Sequence, residues 1–125
     1  MKKVVYISGP MSGLPDYNFA AFNAAAAMLR TSGFHVLNPA DFGANPEVPW
    51  RRCLERDLVT MFHADVVVTL PGWEKSKGAV LETHVARELG ISVMTLRDFI
   101  NETVFGGKPG PAEGPRVPNR PEPGR

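Results

Sequence analysis

The chain has 125 residues, 43% of them hydrophobic and 22% charged, with a formal net charge of +1. That length supports one buried core, and the composition is that of an ordinary soluble globular domain. The near-neutral charge gives no electrostatic basis for stable nucleic-acid or membrane-surface binding, and the lone Cys53 excludes an internal disulfide and a cysteine-based zinc site.

Met1-Lys2-Lys3 carries the charge of a signal peptide, but Ser8, Gly9 and Pro10 end the following apolar run too early. No stretch approaches the roughly 20 apolar residues of a membrane span. With an unpaired cysteine, the expected location is the cytoplasm.

Residues 4–8 read as a buried first strand, stopped by Gly9-Pro10. Asn18 is placed to cap a helix running to about residue 32, with Phe19, Phe22, Ala26 and Leu29 as its inner stripe and Gly33 as its stop. A short strand follows over residues 34–37, then a loop to Val48. Pro49 suits the first turn of a second helix to about residue 63, with Trp50, Leu54, Leu58 and Met61 inward. Residues 65–70 form the third strand, whose Val66-Val67-Val68 run is typical of a strand covered on both faces. A third helix over residues 78–89, a fourth strand over 91–96 and a short helical turn complete the pattern.

Strands alternating with helices predict an α/β domain over residues 1–105. Its sheet is expected to be Rossmann-like (flavodoxin-like) and parallel, with four to five strands and helices on both faces. Residues 106–125 change abruptly: eleven of the twenty are Pro or Gly and Val117 is the only large apolar one, so they read as a disordered tail.

Two acids stand out. Glu82 falls within the apolar stripe Leu81, Val85, Ala86 and Leu89 of the third helix, where a carboxylate is costly unless paired or functional. The reading places it in the first helical turn, where the macrodipole favours its charge and burial opposes it. Asp57 lies on the edge of the second helix's stripe. Two inward carboxyls on neighbouring helices can divide labour as nucleophile and proton carrier.

The loop Pro71-Gly72-Trp73-Glu74-Lys75-Ser76-Lys77-Gly78 precedes a helix N-terminus and suits an anion, as does Gly9-Pro10-Met11-Ser12-Gly13. Trp73 either stacks on a nucleobase or covers its loop. Tyr6 either reaches the site or is a core tyrosine. There is no Walker motif and no GxGxxG, and His35, His63 and His84 lack metal-ligand spacing. Neither a cofactor nor a metal is expected.

Tyr6-Ile7-Ser8-Gly9-Pro10-Met11-Ser12-Gly13, Asp16-Tyr17-Asn18-Phe19, Asp57-Leu58 eight residues before Asp65-Val66-Val67-Val68, and Ser76-Lys77-Gly78 leading to Glu82 together resemble the nucleoside 2-deoxyribosyltransferase superfamily. That superfamily includes the 2'-deoxynucleoside 5'-phosphate N-hydrolases. The similarity is greatest to a small uncharacterised branch of phages and bacteria, and covers about residues 3–96.

The resemblance implies cleavage of the N-glycosidic bond of a nucleoside or nucleoside 5'-monophosphate. Glu82 would be the nucleophile, Asp57 the acid that orients the sugar and serves the leaving base, and Tyr6 a positioning residue. Substrate contacts would come from Ser8, Gly9, Met11, Ser12, Gly13, Trp73, Ser76 and Gly78. Ser12 stands where the nucleotide hydrolases typically carry a phosphate-binding arginine. The resemblance also implies a homodimer or higher homo-oligomer. The competing expectation is a non-catalytic nucleotide-binding module on the same fold.

Overall fold

The computed structural model describes residues 2–106. The tail reading therefore lies, beyond Gly106, outside the described residues. Four strands, β1 (Val4–Ser8), β2 (His35–Leu37), β3 (Val66–Thr69) and β4 (Ser92–Thr95), form one parallel sheet in the order β2-β1-β3-β4. The connecting helices are α1 (Phe19–Thr31), α2 (Trp50–Met61) and α3 (Lys77–Glu88), and α4 (Leu96–Thr103) follows the last strand. The α/β architecture expected from the sequence is the one observed, with four strands among the described residues.

Two core layers follow from the two-residue alternation of the strands. Val5 and Ile7 of β1, with Val66 and Val68 of β3, pack against Phe22, Ala25, Ala26 and Leu29 of α1 and Phe99 of α4. On the opposite face Tyr6 and Val67 meet Met61 of α2 and Ala86 of α3. The same alternation assigns Tyr6 and Ser8 to one side of the sheet, the side that α2 and α3 cover.

Local signals set most boundaries. Thr95 Oγ1 accepts from the Asp98 amide and caps α4, extending the anticipated helical turn into a full helix. Asn18 does not cap α1 through its side chain. Its backbone is left-handed, at φ 61°, and its amide group donates to the Pro10 carbonyl at 3.0 Å, tying the helix entry to the first loop. Asp16 and Tyr17 before it also have positive φ, so three consecutive non-glycine residues hold a costly conformation at this turn.

Gly9 lies where the β1 exit packs tightly against Leu70 at the β3 exit. A Cβ there would stand 2.9 Å from the Leu70 Cβ and 3.2 Å from its Cγ and Cδ1. The Leu70 amide is meanwhile fixed on the Ser8 carbonyl at 2.9 Å, so neither backbone retreats freely. Gly9→Ala should destabilise the fold by about 1–3 kcal/mol, the usual cost of overpacking. A chemical denaturation midpoint equal to that of the parent would contradict this contact.

Candidate functional site

The strand order reverses direction between β1 and β3. In sheets of this kind the crevice beyond the carboxyl ends at that point is the usual place for a ligand. A cleft of about 1120 Å³ opens there, walled by the first loop, the loops after β2 and β3, α2 from Trp50 to Asp57, and the N-terminal half of α3.

Helix α3 delivers Glu82. Ser76 caps it, its Oγ accepting from the Ala79 amide at 3.2 Å. The buried face is Ala79, Glu82, Thr83 and Ala86, whereas Leu81 and Leu89 are 38% and 58% exposed. The stripe expected from the sequence is thus rotated about the helix axis, and Thr83, outside that stripe, is fully buried. Small side chains let α3 lie close on the sheet, which its leucines would prevent. Glu82 belongs to the buried face in either register and is 6% exposed.

Both Glu82 oxygens are held from β1. The Ser8 hydroxyl donates to Oε1 at 2.7 Å and the Tyr6 hydroxyl donates to Oε2 at 3.3 Å. The Tyr6 phenol is itself kept protonated: burial, then the charges of Glu82 and Asp57, push its pKa well above the usual 10. Tyr6 and Ser8 therefore lie under the carboxyl as its support, while Glu82 and Asp57 line the cleft.

Burial raises the Glu82 pKa to about 8; the Ser8 hydrogen bond opposes this, the Asp57 charge adds to it, and the Tyr6 hydrogen bond opposes it. The contest between burial and the helix dipole goes to burial. Counting from Lys77, Glu82 is the sixth residue of α3 and lies past the free N–H groups of the first turn. Asp57 is raised to about 6 by burial, against the lowering effect of the Arg56 guanidinium. Burial thus raises both carboxyls above the ordinary carboxylate range, Glu82 further than Asp57.

Arg56 and Asp57 make an incomplete pair. Arg56 Nε and Asp57 Oδ1 are 3.6 Å apart, both buried, and neither has a hydrogen-bond partner among the described residues. The guanidinium stacks 4.1 Å from the centre of the Phe42 ring, which fixes its plane at the cleft wall.

The anticipated residues Gly9, Met11, Ser12, Ser76 and Gly78 line the cleft with the two acids. Ser8, Gly13 and Trp73 are not among the lining residues, Ser8 being turned to the Glu82 carboxyl instead of the open cleft. Gly13 is a turn residue at φ 81°, and Trp73 packs under the guanidinium of Arg87, 5.9 Å from its ring centre. Trp73 is thus found against Arg87 and not among the cleft residues.

The cleft's indole is instead Trp50, which the sequence reading assigned to the core stripe of α2. It is 43% exposed and lines the cleft, with Lys77 Nζ 4.6 Å over its ring. Arg56 was likewise missed. The available signal was position: a helix that follows a strand of a parallel sheet starts at the sheet's carboxyl rim, so first-turn residues such as Trp50 belong to the rim.

Among the described residues no three His, Cys, Asp or Glu side chains gather as a metal site, and no helix is long and apolar enough to cross a membrane. Residues 3–95 match the family model described as Domain of unknown function (DUF4406). None of the curated proteins matches the chain.

Proposed function

The chain belongs to the DUF4406 family, and on that premise we propose that it cleaves the N-glycosidic bond of a nucleoside or nucleoside 5'-monophosphate, as a branch of the nucleoside 2-deoxyribosyltransferase superfamily. The observation that carries this reading is a buried carboxyl, Glu82, in a cleft wall, with hydroxyls on both its oxygens and a second acid, Asp57, in the same cleft. Positioned carboxyl pairs of this kind serve glycosidases that act through a covalent intermediate.

In the first step a Glu82 carboxylate oxygen bonds to the anomeric carbon. The carbon–nitrogen bond breaks, its electron pair leaves with the base, and Asp57 supplies the proton that the base nitrogen takes up. Water then attacks the anomeric carbon, gives its proton back to Asp57, and displaces the Glu82 carboxylate to release the free sugar. A second base in place of water makes the same machinery a transferase. Tyr6 and Ser8 hold the carboxyl so that little reorientation is needed at the moment of attack.

A second reading is favoured by one specific observation. A Glu82 with a pKa of about 8 is largely protonated at neutral pH, and a neutral carboxyl is a good recognition group but a poor nucleophile. Under that reading the protein is a nucleotide-binding module. Incubation with a panel of ribo- and deoxynucleosides and their 5'-monophosphates, with chromatography for free base, separates the two. The glycosidase reading expects base release, and transfer when a second base is added; saturable binding with no release across pH 6–9 would leave only the module.

A further inference from the structure

We infer that Trp50 is the platform on which the base of the substrate stacks, an assignment that rests on the nucleoside reading of the cleft. A large aromatic ring 43% exposed inside a concave site has apolar surface with nothing of the protein upon it, and a planar heterocycle is the chemical group that covers it best.

The ring is held in place from one side. Lys77 Nζ lies 4.6 Å over it, and the ring faces Gly78, where a Cβ would be in ordinary van der Waals contact with Trp50 Cζ2 and Nε1 at 3.9 Å. The indole therefore rests on the first turn of α3, and its remaining surface belongs to the cleft.

Its distance from the chemistry is also suitable. Gly78 and Glu82 are four residues apart on α3, one helical turn or about 6 Å along the axis, and share a face. A ring packed at Gly78 is thus offset by about one turn from the carboxyl, leaving room for a sugar over Glu82 and its base over Trp50. On α2, Trp50 and Asp57 are seven residues apart, again on one face, so both walls present the acid deeper and the aromatic surface nearer the rim. Trp73, the other indole, is not among the residues lining the cleft.

The test uses the full chain with Trp73→Phe, which leaves Trp50 as its single indole because the protein has two tryptophans. The four 2'-deoxynucleoside 5'-monophosphates should each quench Trp50 emission saturably. 2-Deoxyribose 5-phosphate, which has the sugar and phosphate but no base, should leave the emission essentially unchanged. In a base-release assay Trp50→Ala should raise KM by about one to two orders of magnitude, the range of base–aromatic stacking, with kcat within about threefold. Trp50→Phe should recover most of the loss, which a merely structural role for the indole would not require.

Base release or binding by these nucleotides without a change in Trp50 emission would overturn the assignment. So would an unchanged KM in Trp50→Ala, or no quenching by any of the four. Quenching without base release would keep the platform and remove the glycosidase, so the two proposals fail separately.

Discussion

Glu82→Gln should make the protein more stable at pH 8, by an amount on the order of 10 °C in melting temperature, while leaving it nearly unchanged at pH 5. Burial raises the Glu82 pKa from 4.5 to about 8 in the folded state. Between those values the folded protein holds a proton that the unfolded chain has released, so stability is full below about 4.5 and is lost as pH rises toward 8. Asp57 contributes with the same sign over a lower window, from 3.8 to about 6. At about 1.4 kcal/mol per pKa unit the Glu82 effect is a few kcal/mol, and each kcal/mol moves the transition of a domain this size by several degrees. Gln mimics the neutral carboxyl and removes the titration. Calorimetric scans of both proteins at half-unit steps from pH 5 to 8.5 check this; a variant whose stability falls with pH as steeply as the parent's would refute a buried, proton-holding Glu82.

The fold was legible because its signals are redundant. The valine run of β3, the Gly9-Pro10 stop after β1 and the helical stripe of α1 all point to buried parallel strands with helical crossovers, and error in one would not alter the others. The inward placement of Glu82 was legible for a less secure reason. The stripe used to find it contained Leu81 and Leu89, which the structure exposes, while Glu82 happens to lie on the boundary shared by the apparent and the real buried faces. Helical periodicity locates a face only to within its own width, and in α3 close packing selected alanine and threonine over leucine. Trp50 and Trp73 illustrate the other limit. Both sit at rim positions, and only the partners of each ring, Lys77 and Gly78 for one and Arg87 for the other, determine which indole faces the cleft. Those partners are tertiary and leave no mark in the local sequence. The same holds for the carboxyl pKa values, which depend on the depth of the helices over the sheet.

The pH dependence of the reaction gives the sharpest expectation for the mechanism. Glu82→Ala removes the nucleophile and should lower kcat at least about a thousandfold, with substrate still bound. With a substrate whose leaving group departs without a proton, the state of Asp57 as acid drops out and only the ionised Glu82 is required, so kcat/KM, which reports the free protein, should climb by close to tenfold per pH unit below about 8 and level above it. The neighbours then set the midpoint in opposite directions. The Ser8 hydrogen bond lowers the Glu82 pKa, so Ser8→Ala should carry the rising limb to higher pH. The Asp57 charge raises it, so Asp57→Asn should carry that limb to lower pH, whatever it costs in rate through loss of the proton carrier. Destabilisation alone would depress the rates of both variants without moving their midpoints apart. Opposed displacements require a carboxylate that reacts only when ionised and that senses both groups directly; a flat profile from pH 6 to 9, or midpoints moving together, would mean that Glu82 is not the attacking group.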